Sequence, residues 1–509
     1  MNKSMKLDEA INLIKDGDTV ALSGFMLATA AREIMVGIGK RFKNTGSPRG
    51  LTIYQGAGIG NNRDQGVCEM SYPGLIRRYV TAHFANNQPM IKMALNNEVE
   101  AYNFPQGVIS HLYRQAAGKK PFEITRIGLN TYCDPRLKGG KVNEAAKEDL
   151  VELIYIDDVE YLKYKVPKYD IGIIRGTTAD EHGNITMEDE SSIIDSLDIA
   201  MAVKASGGKV IVQVKNIVSS ESINRKDVVI PGVFVDAVVI SEEPEIYHRQ
   251  TPGTFYSPVI AGKYNSNEFS ISGMIFDERK IIARRAIEEL KSGSVVNLGI
   301  GIPEAVSSAA VEAGISDIVL TVESGLIGGI PLGGSNFGSA VNAWAALPMA
   351  SQFDFYNSGG LDKSFLGFAQ IDFNGNINVS RFGDRIGGCG GFIDITQSTK
   401  NIVFCGTMTS NGLKTKFENG KLVILSEGKT KKFKNSIDEI TFSAHQSRIN
   451  GQNIILVTER CVFKYDEEGL ILIEVAPGID IESEIFGVMD FRTRVSENLK
   501  LMDKRIFDK

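Results

Sequence analysis

The chain has 509 residues, room for two to four domains of ordinary size. Apolar residues make up 43% and charged residues 23%, which excludes a disordered chain. The 56 Lys and Arg against 62 Asp and Glu leave a formal net charge of −6, which argues against a nucleic-acid binder.

The chain opens on MNKSMKLDEAINLIKDGDTV, an amphipathic start with interspersed acids and not a secretory signal. No run of 18 apolar residues follows anywhere, so no membrane span is expected and the expected location is the cytoplasm. Residues 18–22 read as a strand, 28–40 as a helix, and 51–54, 151–156 and 171–174 as further strands. Residues 190–205 read as a helix and 209–214, KVIVQV, as a strand. Short apolar runs without strict alternation suit strands covered on both faces, so the expected class is α/β with a largely parallel sheet.

The second half repeats the plan of the first. LIKDGDTVALSGFML, with Gly17 and Gly24 about its strand, is matched by LKSGSVVNLGIGIP, with Gly293, Gly299 and Gly301. HGNIT at 182–186 returns as NGNIN at 374–378, and PGVFVD from Pro231 resembles PGIDIE from Pro477. Three signals in the same order predict two homologous domains. Residues 240–275 mark the expected boundary, read either as an ordinary linker or as a crossover packed against both domains. The lysine-rich stretch 411–436 reads as a solvated hairpin with charged edges.

Five scattered cysteines without a CxxC pair fit a reducing compartment. Five histidines form neither HExxH nor a three-ligand cluster, so no metal is expected. Glycine is the unusual count, at 52 residues, or about a tenth of the chain where roughly 7% is ordinary. The cluster GAGIGNNRDQG at 56–66 is not a phosphate loop, because Arg63 and Asp64 stand where the lysine and hydroxyl are needed. No nucleotide cofactor is therefore expected, and this segment reads as a loop near the mouth of a site.

One segment stands apart. In DIVLTVESGLIGGIPLGGSNFGSA, Glu323 falls at the carboxyl end of the expected strand 318–322, with glycines at 325, 328, 329, 333, 334 and 338 behind it. Ligands of open parallel sheets bind outside the carboxyl ends of strands. A carboxylate followed by backbone free of Cβ atoms suits a reacting group reached by a bulky substrate. It equally suits a capping or salt-bridged glutamate before a tight turn.

VESGLIGG resembles the active-site signature of the family I coenzyme A transferases. NLGIGIPEAV from Asn297, GTTADEHGNIT from Gly176 and GGCGGFIDI from Gly387 resemble further segments of that family. The whole chain resembles its single-chain short-chain acyl members. The resemblance implies two open α/β/α domains, residues 1–265 and 275–509, with the active site between them. It implies Glu323 as a nucleophile that passes coenzyme A from an acyl-CoA to a carboxylic acid, through an anhydride and a glutamyl-CoA thioester. It places Gly388, Gly390 and Gly391 near the thiol as backbone oxyanion donors, with Gln106 a second source of such a donor. A turn-cap amide after Pro105 remains the other reading of Gln106. Gly299 and Gly301, next to Asn297, are the candidates for close approach to coenzyme A.

Acetate, propionate or butyrate are the acids the resemblance suggests. A 3-oxoacid transferase, an acyl-CoA hydrolase and a non-catalytic acyl-CoA or sugar-phosphate binding module are the alternatives. Coenzyme A enters as substrate, and the resemblance implies a homo-oligomer, with a tetramer favoured over a dimer, and no nucleic-acid or membrane partner. Cys389 and His182 read as bystanders, the latter a turn residue. Trp344 reads as helix packing, and residues 353–356 as a possible wall of an acyl pocket.

Overall fold

The computed structural model describes residues 3–267, 274–315 and 317–508. It divides into two compact units: residues 1–267 with 322–354 and 384–394, and residues 268–321 with 355–383 and 395–509.

In the first unit seven strands lie parallel in the order Ala237–Ile240, Lys209–Val214, Ile171–Arg175, Thr19–Leu22, Leu51–Gln55, Ile76–Thr81 and Glu100–Asn103. Every residue of Leu51–Gln55 and of Ile171–Arg175 is buried, as expected of strands covered on both faces. Successive side chains alternate between two cores. Ala21 and Tyr54 join Val108, Leu112, Ile199 and Val203 on one face. Val20, Leu22 and Ile53 join Ile34 and Ile38 on the other.

The first of the expected helices runs over Arg32–Thr45, later than the expected 28–40, and a short helix Leu7–Ile11 precedes it. Phe25 and Ala28 exchange backbone hydrogen bonds, and Met26 and Thr29 take positive φ, so a turn occupies the expected first residues of the helix. Only Ser196–Ala205 of the second expected helix is helical. Val151–Ile156 is a strand, but it pairs antiparallel with Val159–Lys165 in a small three-stranded sheet outside the parallel one.

The second unit carries Val319–Val322, Val295–Leu298, Lys363–Gly367, Asn401–Cys405 and Asn453–Val457 as adjacent parallel strands. Cys461–Asp466 and Gly469–Val475 follow antiparallel, with Arg494–Leu501 outermost. The five parallel strands repeat the order of Leu51–Gln55, Thr19–Leu22, Ile171–Arg175, Lys209–Val214 and Ala237–Ile240 in the first unit.

The hairpins at HGNIT and NGNIN also match in detail. Asn184 donates its backbone N–H and its side-chain amide to Asp180, at 2.8 and 2.7 Å. Asn376 does the same to Asp372, at 2.8 and 2.9 Å. The third sequence pair does not correspond. PGVFVD leads into the strand Ala237–Ile240, whereas PGIDIE follows Gly469–Val475. The counterpart of PGVFVD is residues 443–452, before Asn453–Val457, with the helix Ala444–Ile449 inside it.

Residues 241–267 belong to the first unit, and 268–273 of the expected boundary lie outside the described residues. The stretch 411–436 contains the expected hairpin: Lys414–Glu418 pairs with Lys421–Ser426, and Glu418 faces Lys421 across the Asn419–Gly420 turn.

Candidate active site

Glu323 follows directly on the strand Val319–Val322 and is half-buried. The chain then folds tightly. Ser324 donates to the Gly338 carbonyl at 2.6 Å, and the Leu347 N–H donates to Gly325 at 2.8 Å. Gly325 takes φ 105°, and a Cβ there would overlap the Leu347 carbonyl. Two short antiparallel pairs, Leu326–Ile327 with Ala345–Ala346 and Ile330–Pro331 with Ala340–Val341, close the segment. Trp344 lies in this lobe, outside any helix and 70% exposed, which corrects its expected role in helix packing.

Against Glu323 stands the loop 387–391. A Cβ on Gly391 would lie 3.1 Å from Glu323 Cγ and 3.2 Å from the Phe353 ring, so only glycine lets these chains approach so closely. The loop is anchored by backbone bonds. Phe84 N–H donates to Gly387 at 2.8 Å, Gly390 N–H to Ala82 at 2.8 Å, and Cys389 N–H to Asn103 Oδ1 at 3.1 Å. Gly388 is buried and bridges to His83. Burial pushes the His83 imidazole down to about 4, so it is neutral at neutral pH. The N–H of Gly391 donates to no acceptor among the described residues.

Gln106 completes the group. It opens the helix Gln106–Ala117 at the end of the Glu100–Asn103 strand segment, is 3% exposed, and donates its backbone N–H to Gly390 at 3.0 Å. Its Nε2 lies 3.0 Å from Met349 Sδ, a weak acceptor that a carbonyl oxygen would readily displace. Among the described residues the Gln106 amide reaches Met349 and makes no hydrogen bond to the turn at Pro105. Met349 is held through its N–H to Ile194, 2.9 Å away. Ile194 takes φ 56°, an unfavourable conformation for a β-branched residue.

Further along this helix, His111 Nε2 lies 2.9 Å from Asp354 Oδ1, and Arg114 reaches Ser351, Asp354 and Asp198. Burial opposes a charged His111, but the Asp354 bond and the Glu123 charge outweigh it and raise its pKa. Burial, then the Asp198 charge, pushes Asp195 up to about 8.

Glu323, Gln106, Gly388, Gly390 and Gly391 are thus brought together within the first unit. Asn297, Gly299 and Gly301 lie in the second. The Asn297 side chain is fully buried at the strand Val295–Leu298, beside the Tyr356 hydroxyl, which donates to Thr321 Oγ1 at 2.9 Å. Gly299 and Gly301 flank the exposed Ile300 at the strand's carboxyl end. A cavity of about 690 Å³ in the first unit, walled by Ile193, Val259, Leu326 and Trp344, includes none of the predicted site residues. Cys389 is buried, and His182 sits in its turn with its N–H on Asp180. Met349 and Asp394 escaped notice in the sequence, although Asp394 ends the GGCGGFID run as a carboxylate among apolar neighbours.

Glu323 thus stands at the carboxyl end of a strand of a parallel α/β sheet, against the Gly391 backbone. The coenzyme A transferase family profile matches residues 4–241 and 280–483. Caffeate CoA-transferase of Acetobacterium woodii is 44% identical over 100% of this chain and 98% of its own. Acetate CoA-transferase YdiF of Escherichia coli K12 is 41% identical over 99% and 94%. The crystal structure of the YdiF apoenzyme from E. coli O157:H7 superposes with a TM-score of 0.94 at 40% identity, covering 100% of this chain and 96% of that one. The chain belongs to the coenzyme A transferase family, and it is an enzyme that transfers coenzyme A.

Proposed function

We propose that the protein moves coenzyme A between short carboxylic acids by a ping-pong route through Glu323. The observation that carries this reading is the approach of Gly391 to Glu323, with, among the described residues, the Gly391 amide uncommitted and the Gln106 amide held only by a thioether. The Glu323 carboxylate attacks the thioester carbonyl; the C–S bond breaks and the CoA thiolate leaves, giving a mixed anhydride. The thiolate then attacks the glutamyl carbonyl, the anhydride C–O bond breaks, and the first acid departs as its carboxylate. An incoming carboxylate reverses both steps with itself as the new acyl group. Every intermediate stays activated, so thioester energy passes on without a nucleotide.

The Gly391 N–H and the Gln106 amide are suited to stabilising the oxyanion that forms at each attack. Gly388 and Gly390 shape the loop that presents them. Asn297, Gly299 and Gly301 serve the approach of coenzyme A, and Phe353 walls the acyl group. A related YdiF structure is described as a thioester complex with CoA, at 40% identity and a TM-score of 0.92, which supports the covalent route. We extend the reading to a cytoplasmic homo-oligomer, a tetramer.

Acetate is the acid of choice here, because a full-length relative at 41% identity is named for it. The caffeate-named relative at 44% favours an aromatic acid as second reading. Initial rates with acetyl-CoA and varied acceptors decide. Consumption of acetyl-CoA that requires an acceptor acid, with parallel double-reciprocal lines, is expected. Consumption without an acceptor is the mark of a hydrolase and contradicts the proposal.

A further inference from the structure

We propose that Asp394 is a positioning residue, capping the helix Gln106–Ala117 from a distant part of the chain and so setting Gln106 against the Glu323 loop. This rests on the reading of Glu323 and Gln106 given above.

A helix leaves its first N–H groups without partners, and the residue before it commonly supplies a side-chain acceptor. Here that residue is Pro105, which makes no side-chain cap. Both needs are met by the segment that carries the glycine loop. Gln106 N–H donates to the Gly390 carbonyl at 3.0 Å, and Gly107 N–H donates to Asp394 Oδ2 at 3.1 Å. Asp394 is fully buried. A carboxylate taken out of water needs strong partners, and the positive end of a helix is one.

The fit is close on every side. A Cβ on Gly107 would overlap Asp394 Oδ1 and stand 2.8 Å from the Phe353 ring, the ring that also meets Gly391. Asp394 lies three residues beyond Gly391. One short segment therefore presents the Gly391 amide to Glu323 and fixes the helix from which Gln106 projects. A change in that cap moves one oxyanion donor relative to the other. Charge is not the essential property, since an asparagine oxygen accepts equally well at a helix start.

Single-turnover formation of glutamyl-CoA from acetyl-CoA, followed by intact mass, tests this in Asp394→Asn, Asp394→Ala, Gln106→Ala and the Asp394→Ala/Gln106→Ala double variant. Hydrogen exchange at the Gly107 amide is read alongside. Asp394→Ala is expected to slow the step about tenfold to a hundredfold, at an unchanged half-saturating acetyl-CoA concentration, and to speed Gly107 exchange. Asp394→Asn restores both to within about twofold. In the Gln106→Ala background the Asp394→Ala loss shrinks to less than about twofold, because its route of action is gone.

Should Asp394→Ala fail to fold, Asp394→Ser takes its place in the cycle. Losses that multiply, an asparagine variant as slow as the alanine one, or unchanged exchange at Gly107 would overturn the proposal. A wild-type protein that forms no glutamyl-CoA overturns the reading beneath it as well. That outcome is distinct from a reacting wild type whose variants react equally fast.

Discussion

At the scale of single residues, the proposed reaction asks for groups placed to meet developing charge. Gln106 is buried yet spends its amide on a methionine sulfur, an arrangement with little value for stability. Gln106→Ala is therefore expected to slow formation of the glutamyl-enzyme by roughly 10²-fold, the usual order for one oxyanion donor, with the melting temperature nearly unchanged. Equal single-turnover rates would remove Gln106 from the site. Asp195 carries a prediction in pH. Its pKa of about 8 in the folded protein exceeds the roughly 3.9 of an unfolded chain. The folded state thus keeps a proton that the unfolded state loses, and this contribution to stability falls as pH rises between those values. Asp195→Asn removes the dependence. Relative to wild type, the variant should gain at least about 1 kcal/mol of unfolding free energy between about pH 5 and about pH 7.5. A difference that is flat in pH contradicts the assignment. Glu323 was legible as a candidate reacting group only with the glycines behind it and the family likeness. Asp394 and Met349 were not, because their significance depends on contacts about 290 and 240 residues away along the chain.

At the scale of elements, buried strands were the most readable feature. Leu51–Gln55, Ile171–Arg175 and Lys209–Val214 lie almost where their apolar runs put them. Direction was less readable: Val151–Ile156 looks like the others in composition but pairs antiparallel, and pairing is a tertiary property. The helix starts drifted because Met26, Thr29 and Ile194 adopt backbone conformations that their side chains do not announce. The repeated HGNIT and NGNIN hairpins were correctly seen, and their common cause is an aspartate that accepts two bonds from the asparagine of the turn. Asp180→Ala and Asp372→Ala should each cost about 1–2 kcal/mol of stability, and the asparagine variants less, as read by chemical unfolding. Loss at one hairpin only would show that the likeness of the two turns is not a likeness in energy.

At the scale of the whole molecule, the repeated strand order in the two units bears on the likeness between the two halves seen in the sequence. Two of the three sequence pairs correspond in structure, and the pair beginning at Pro231 and Pro477 does not. The loop 387–391 and Glu323 group with the first unit, although both follow the first half in sequence, a division that linear spacing cannot express. The central claim is that Glu323 carries the acyl group and then coenzyme A in covalent form. The measurement that tests it most directly is the intact mass of the protein after incubation with acetyl-CoA, before and after borohydride. The expected result is an adduct of coenzyme A less one water. Borohydride should release it to leave the Glu323 side chain as an alcohol, lighter by one oxygen and heavier by two hydrogens, and Glu323→Ala should show neither change. An adduct that persists in Glu323→Ala, or a wild-type protein that turns over acetyl-CoA and an acceptor acid without any adduct at Glu323, would contradict the account.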